Sequence, residues 1–89
     1  KKLQTTTETA IGYDPLLEVV ESYYDNGQLK SRTNYKNDKR NGLHETWYEN
    51  GQLESRGLFK DGEINGLRET WDSDGHLVES TMYTYGVKQ

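Results

Sequence analysis

Short runs in which apolar and polar residues alternate recur along the chain, and each run is followed by a turn that ends in glycine. The turns are Asp25-Asn26-Gly27, Glu49-Asn50-Gly51 and Ser73-Asp74-Gly75. Glycine suits the positive φ of a tight hairpin turn, and alternating runs rich in Thr, Tyr, Trp and Val are typical of half-buried strands. The pattern predicts an all-β protein whose antiparallel hairpins form one meandering sheet of about six strands.

The hairpins repeat with a period of 24 residues. Residues 21–29 align with residues 45–53 and 69–77, and Asn41-Gly42 aligns with Asn65-Gly66. We therefore expect a ribbon in which each hairpin contacts mainly its neighbours, with a second type of turn near Asn41-Gly42 and Asn65-Gly66. The predicted units are 19–42, 43–66 and 67–89.

Residues 1–18 lie outside the repeat, and two interpretations of them are open. They form an N-terminal cap, or they are a flexible leader, because the first ten residues are strongly polar. The cap would use Thr5-Thr6-Thr7 as an edge strand and Ile11, Tyr13, Leu16 and Leu17 as apolar cover. Residues 16–20, after Pro15, are the nearest candidate for a helix.

The turn also selects the strand register. A two-residue loop at Asn26-Gly27 would pair Tyr24 with Leu29, whereas a three-residue loop would pair Tyr23 with Leu29. We favour the three-residue loop, because it places Val19, Tyr23 and Leu29 on one face. Its consequence is that three glutamates share that face and must lie at a wet margin or find partners. These glutamates are Glu21, Glu45 and Glu69.

Composition narrows the functional classes. Hydrophobic residues make up 30% of the chain, charged residues make up 29%, and there is no cysteine. These values exclude a thick core, disulfides and cysteine-ligated zinc, and no apolar run approaches the roughly 20 residues of a membrane span. The net charge of −4 argues against nucleic acid and anionic lipid as ligands. The three units carry +2, −3 and −2.

Candidate catalytic and metal-binding residues are few. His44 has no second histidine at the spacing of a metalloprotease helix, and the residues aligned with His44 and His76 vary so much that we expect both histidines to face solvent. Asp72-Ser73-Asp74-Gly75 resembles the start of a calcium loop, but it lacks the later ligands and reads as a hairpin tip. The sequence therefore predicts no enzyme, no metal and no cofactor.

The middle unit resembles a MORN repeat of the bacterial variant, with Gly42, the aromatic pair Trp47-Tyr48, Asn50-Gly51 and then Leu53. The resemblance covers three units, although the first has Glu18 in place of glycine and the third has aspartates at 72 and 74. It implies stacked hairpins and an interaction role without catalysis, since members of this variant are described as antitoxins, immunity-like proteins or exported surface proteins.

Ten aromatic residues supply most of the apolar surface. We expect Tyr23, Trp47 and Trp71 to stand on successive hairpins, with Tyr35, Phe59 and Tyr83 on the return strands. A single-layer sheet cannot cover such a row by itself, so the row either packs within the chain or binds a partner. The predicted partner-binding residues are Tyr23, Trp47, Trp71, Glu45, Glu69 and Tyr48.

The first functional hypothesis is a non-catalytic, antitoxin-like or immunity-like domain whose acidic second and third units meet a basic protein surface. The alternative is an exported or envelope-associated structural protein that self-associates through its sheet edges. Lipid binding is disfavoured by the acidic charge. The chain begins at Lys1 rather than Met, which is compatible with processing, so bacterial cytoplasm and envelope both stay open.

Overall fold

Three equivalent turns, each ending in a glycine at positive φ, set the hairpins of the sheet. The computed structural model describes residues 2–6 and 16–89. In the first turn the Tyr24 amide donates to the carbonyl of Gln28 at 2.9 Å, which closes a three-residue loop with Gly27 at φ 88°. The same contacts close the turns at Gly51 and Gly75. The predicted three-residue loop is therefore confirmed.

The strands form a single antiparallel sheet in which sequence order equals spatial order. This confirms the all-β meander, although the described residues contain eight strands where about six were expected. The two additional strands are the short ones at the edges. The strands are β1 (Lys2–Thr6), β2 (Leu17–Tyr23), β3 (Leu29–Lys36), β4 (Lys39–Trp47), β5 (Leu53–Lys60), β6 (Glu63–Trp71), β7 (Leu77–Thr84) and β8 (Val87–Lys88).

The N-terminal region differs from the sequence interpretation at one point. The helical candidate at residues 16–20 was wrong, because β2 begins at Leu17 and its alternating residues pair with both β1 and β3. Thr5 and Thr6 lie in the edge strand β1, whereas Thr7, Ile11 and Tyr13 lie outside the described residues. The division into a cap and three repeats stays a prediction.

A β-bulge follows each glycine turn and changes which residues share a face. Tyr23 pairs with Leu29 and Ser22 pairs with Ser31, so Lys30 is the extra residue. The bulge recurs in the next two hairpins, where Trp47 pairs with Leu53 and Trp71 with Leu77. Because of it, the return-strand aromatics Tyr35, Phe59 and Tyr83 lie on the face opposite the tryptophans.

The connections between hairpins are two-residue turns that lie a few residues before the predicted positions. Lys36 pairs with Lys39 around Asn37-Asp38, whose φ values of 53° and 64° are those of a type I′ turn. The expectation that Asn41-Gly42 and Asn65-Gly66 form these turns was therefore wrong. Both pairs lie inside strands, where three residues oppose Asn34 or Leu58 on the neighbouring strand.

The sheet is a single layer without an apolar interior. No hydrophobic side chain among the described residues is buried, and the residues in the buried class are Thr33, Gly57 and Thr81. We name the two surfaces the tryptophan face, which carries Trp47 and Trp71, and the histidine face, which carries His44. Any binding surface formed by the described residues therefore lies on a face or along an edge of the sheet.

Candidate functional site

The tryptophan face consists of three parallel rows that cross the strands. In the second hairpin, cross-strand pairing places an aromatic–leucine pair, a glutamate–arginine pair and an aliphatic pair side by side, and each of the other two hairpins repeats two of these three kinds of pair. The aromatic row is Tyr23, Leu29, Trp47, Leu53, Trp71 and Leu77; the ladder is Glu21, Arg32, Glu45, Arg56 and Glu69; the aliphatic row is Leu43, Leu58, Leu67 and Met82. The predicted sharing of one face by the glutamates and the aromatic row is confirmed.

The ladder satisfies the glutamates from within the sheet. The Arg32 Nε lies 2.9 Å from Glu21 Oε2, and its Nη1 lies 3.9 Å from Glu45 Oε1. Arg56 Nη2 lies 3.5 Å from Glu69 Oε1. The two arginine side chains are about two-fifths exposed, at 41% and 42%, so each ion pair contributes at most about 1 kcal/mol. The predicted pairing of the glutamates with Arg32 and Arg56 is present.

The same arginines also cover the tryptophans of the following hairpin. The guanidinium of Arg32 lies 5.5 Å from the centroid of the Trp47 ring, and that of Arg56 lies 5.5 Å from the Trp71 ring. Each arginine therefore joins its own hairpin to the next through one carboxylate and one indole, with a cation–π contribution of about 0.5–1 kcal/mol at an exposed site. Much of the aromatic row is thus engaged in packing between hairpins.

Tyr23 ends the aromatic row at the first hairpin. Its hydroxyl donates to Glu21 Oε1 at 3.1 Å. This hydrogen bond to a carboxylate, with lesser effects of desolvation and of the negative charge of Glu21, raises the pKa of Tyr23 above its usual value of 10.0. The Tyr23 side chain is therefore held in its neutral, hydrogen-bonding form at the margin of the ladder.

Tyr48 stands apart from these rows and links two turns. Its hydroxyl donates to the backbone carbonyl of Trp71 at 2.8 Å, as the hydroxyl of Tyr24 donates to that of Trp47 at 2.7 Å. The adjacent Asn50 side chain donates to the carbonyl of Ser73 at 2.9 Å. These contacts repeat with the period of the sequence, so Tyr48 serves the stacking of hairpins.

The aspartates of the third turn replace residues that link hairpins elsewhere in the sheet. Asp72 and Asp74 stand where Tyr48 and Asn50 stand in the second hairpin, but the described residues contain no further hairpin for them to bond. The Asp72 carboxylate accepts the amides of Asp74 and His76 at 2.9 and 3.0 Å. The amide of His76 contributes most to lowering the pKa of Asp72. Ligand atoms of Asp72, Asp74 and His76 lie within 4.8 Å of one another, and the contacts within the turn account for this arrangement.

The aliphatic row is the feature that the sequence interpretation missed. Leu43 pairs with Leu58 and Leu67 with Met82, and these side chains are 38–50% exposed. The signal was present, because Leu58 and Met82 are one period apart and Leu43 and Leu67 are as well. Without the bulge in each return strand, however, the sequence alone places the two sets on opposite faces.

An open depression adjoins the aliphatic row at Leu58. It has a volume of about 590 Å³ and lies beside the two-residue turns, with Lys36, Lys60 and the amide side chains of Asn41 and Asn65 on its walls. The lining also includes the carboxylate of Asp61 and the ring of Phe59, so the depression combines groups of both charges with two apolar side chains. The lining contains neither a histidine nor a serine, the residues most used for proton transfer or nucleophilic attack.

His44 lies on the histidine face and is not the solvent-facing residue that was expected. The residue is half-buried, its Nδ1 lies 2.8 Å from the Thr33 hydroxyl, and its ring meets Phe59 edge to face at 6.0 Å. Burial is the main cause that lowers the pKa of His44 below 6.5, and the positive charges of Arg40 and Arg68 act in the same direction. His76, by contrast, is exposed at 78% as predicted.

Comparison with known proteins places part of this chain among known repeats. The family model described as MORN repeat variant matches residues 19–37 and 40–61, which cover the first two hairpins. No curated protein and no solved structure matches the chain. None of the described residues forms a helix long and apolar enough to cross a membrane. The repeat that this model describes is non-catalytic, and MORN repeats commonly mediate protein or membrane interactions.

Proposed function

We propose that this chain is a non-catalytic protein-interaction domain that binds a protein partner through the tryptophan face. The observation that carries the proposal is the aliphatic row, which stays 38–50% exposed beside the ladder, since residues 2–6 and 16–89 form no second layer over the sheet. A row of apolar side chains flanked by charged groups is the arrangement expected of an interface, with an apolar centre and a polar rim. We further propose three repeats in residues 19–89, preceded by an N-terminal cap.

The proposed partner surface is basic, because the second and third units carry −3 and −2. The contact would use Tyr23, Trp47 and Trp71 together with the aliphatic row, and the charges of Glu45 and Glu69 would steer the encounter. A basic partner would share these two carboxylates with Arg32 and Arg56, since the arginines already contact them. We propose that this chain acts as an antitoxin or immunity protein towards that partner, as the resemblance to bacterial MORN variants implies.

The experiment compares the wild-type chain with a Leu58→Ser, Met82→Ser double variant as bait in lysate from the source cells, with quantitative mass spectrometry of the captured proteins. The control is Val87→Ser, since Val87 is 63% exposed but lies outside the aliphatic row. Each candidate is then purified and titrated by calorimetry. Loss of an apolar anchor costs about 1–2 kcal/mol, so we expect roughly tenfold weaker binding or more for the double variant.

Two results would contradict the proposal. One is equal binding of the candidate by the wild-type chain and the double variant; the other is co-sedimentation of the chain with anionic liposomes in place of any protein complex. The antitoxin type is tested separately, because co-expression of the chain should relieve growth inhibition by the captured partner. If a partner binds but co-expression does not relieve growth inhibition, the interaction role stands and the antitoxin assignment is wrong.

The second candidate function is a structural protein of the cell envelope that self-associates through sheet edges. The observation that favours it is strand β7, because on the side away from β6 only Tyr83 and Thr84 pair with another strand among the described residues. Native mass spectrometry over a dilution series separates this function from the first. A monomer at all concentrations would remove it.

A further inference from the structure

Strand β7 presents an open edge that the equivalent strands of the other hairpins do not have. It spans Leu77–Thr84 and, within residues 2–6 and 16–89, pairs with β8 only at Tyr83 and Thr84. The amide of Gln89 also donates to the Met82 carbonyl at 2.9 Å. The stretch Leu77–Thr81 therefore keeps one side of its backbone available, and an unpaired edge of this kind accepts further strands.

Comparison of equivalent strands shows how much of β7 a neighbouring strand would cover. The first four residues of β3 and of β5 are half-buried, whereas the first four residues of β7, Leu77–Ser80, are exposed. Leu77 and Val78 reach exposures of 56% and 67%. The three strands occupy equivalent positions and follow the same turn. The difference in exposure arises because β4 lies beside β3 and β6 beside β5, whereas the described residues provide no equivalent full-length strand beside β7.

The chemistry of the missing neighbour follows from the substitutions in β7. At the inner junctions Ser31 pairs with Thr46 and Ser55 with Thr70, both neutral pairs of hydroxyl residues. The residue of β7 one period on is Glu79, whose side chain is 46% exposed and lies 3.5 Å from Arg68 on the inner side. A strand on the open side would therefore bring its residue opposite a carboxylate, which a basic side chain suits and an acidic one opposes.

The same charge argues about the identity of the occupant. A second copy that used its own β7 edge would add another acidic strand, since Glu79 is the one charged residue of Leu77–Thr84. Strands β4 and β6, which have the shape to fit, are already paired on both sides within the sheet. A segment from a different protein that carries a lysine or arginine at this position satisfies both the backbone and the charge.

We propose that the β7 edge binds an extended segment of a partner protein, which pairs antiparallel with Leu77–Thr81 and places a lysine or arginine opposite Glu79. The inference rests on the proposed protein-interaction function and names a second, separate point of contact. Main-chain hydrogen bonds supply the affinity in this mode of recognition, and the alternate side chains supply the selectivity. The apolar side chains of Leu77 and Val78 become covered as the equivalent residues of β3 and β5 are.

The probe is a synthetic seven-residue peptide with the sequence of residues 43–49, in which Thr46→Lys places a lysine opposite Glu79 in the register of β3 with β4. Residues 39–42 are left out of the peptide, because Lys39 and Arg40 would lie opposite Thr84 and Tyr83, which already pair with β8. A matched control peptide carries Thr46→Glu. Binding is followed by amide hydrogen exchange and NMR chemical shifts of the complete 89-residue chain, and the titrations are repeated with the Glu79→Lys variant after its fold has been checked by circular dichroism.

We expect the lysine peptide to slow exchange of amides within Leu77–Thr81 and to bind at least tenfold more tightly than the glutamate peptide. The Glu79→Lys variant should reverse this order, which a mere loss of stability would not do. Equal binding of the two peptides to both proteins, or shifts confined to the tryptophan face, would overturn the inference. Slow exchange of these amides in the free chain, whether constant or rising with concentration, would also overturn it, because the edge would then be covered by the chain or by a second copy.

These results are separable from those that test the proposed function. The Leu58→Ser, Met82→Ser variant changes no residue of the open stretch Leu77–Thr81. If a partner loses binding to this variant while the peptide titrations fail, the tryptophan face is supported as a binding site and the β7 edge is not. If the peptide binds at β7 while the Leu58→Ser, Met82→Ser variant still captures the partner, the edge is supported as a binding site and the tryptophan face is not.

Discussion

Arg56 is the side chain that most directly tests whether the ladder holds the hairpins together. It belongs to the second hairpin, yet its Nη2 lies 3.5 Å from Glu69 and its guanidinium lies over the ring of Trp71, both of which belong to the third. Arg56→Met keeps the length and the apolar stem while it removes both contacts. We expect this change to destabilise the fold without altering it.

The magnitude follows from the two contacts. A half-exposed ion pair contributes up to about 1 kcal/mol, and the cation–π contact about 0.5–1 kcal/mol. The carboxylate of Glu69 is only 23% exposed and would lose its nearest cation. We therefore expect a loss of about 1–2 kcal/mol in the free energy of unfolding, which lowers the Tm by roughly 4–8 °C per kcal/mol in a domain of this size.

The assay is urea unfolding followed by circular dichroism and by tryptophan fluorescence, since both tryptophans lie beside ladder arginines. The variants Glu69→Gln and Trp71→Leu, each alone and combined with Arg56→Met, form two double-mutant cycles. Added salt should weaken the coupling with Glu69 more than the coupling with Trp71, because salt screens exposed ion pairs. A loss below about 0.3 kcal/mol for Arg56→Met, or coupling near zero in both cycles, would refute the account of the ladder.

The remaining predictions concern other contacts that the repeat sets. Tyr48→Phe removes the hydrogen bond to the Trp71 carbonyl and should cost about 0.5–1.5 kcal/mol in the free energy of unfolding. Gly66→Ala should cost more than Gly62→Ala in urea unfolding, because both have positive φ and strain of about 1–3 kcal/mol, but only at Gly66 would a Cβ meet a neighbour, at 3.2 Å. The lowered pKa of His44 means that the unfolded chain binds more protons near pH 6, so the free energy of unfolding should fall as the pH drops below the ordinary histidine range.

Each of these predictions has a matched control. Tyr85→Phe removes a hydroxyl from a side chain that is 53% exposed and should leave stability nearly unchanged, whereas an equal loss in both variants would contradict the role of Tyr48. Equal losses at Gly62 and Gly66 would show that the neighbour, Leu58, yields without cost. His44→Val introduces the residue found one period earlier at Val20 and should flatten the pH dependence, whose slope from one proton is at most about 1.4 kcal/mol per pH unit. An unchanged slope in the His44→Val variant would show that other titratable groups cause the pH dependence.

The 24-residue period predicted most of the fold because each hairpin repeats the same local solution. Gly27, Gly51 and Gly75 specify the turns, and the choice of loop length follows from keeping Val19, Tyr23 and Leu29 together. The bulge at Lys30 could not be predicted, because the alternation of apolar and polar residues does not show where a strand contains an extra residue. One unrecognised residue in each return strand moved Phe59 to the other face.

The candidate site was predictable only where strand order and register suffice. Tyr23, Trp47 and Trp71 form a row because they recur at one position before equivalent turns, and the three glutamates share their face for the same reason. That the arginines contact both carboxylates and indoles depends on side-chain reach between adjacent hairpins, which spacing does not fix. His44 was expected to face solvent because the residues aligned with it vary. The expectation was wrong because the ring of Phe59 packs against His44 in this hairpin, and variation at aligned positions does not exclude such a contact.

Comparison of the repeats explains why exposed apolar side chains and an unpaired strand edge occur in the third hairpin. In the second hairpin Tyr48, which follows Trp47, and Arg56, on the return strand, both bond the third hairpin. The third has Asp72 in place of Tyr48 and Ser80 in place of Arg56, and Asp72 bonds within its own turn. The third hairpin therefore lacks the two side chains that bond the next hairpin elsewhere in the sheet, while its Leu77 and Val78 are apolar and exposed. An edge that discourages its own repeat and remains open is suited to a strand of different charge.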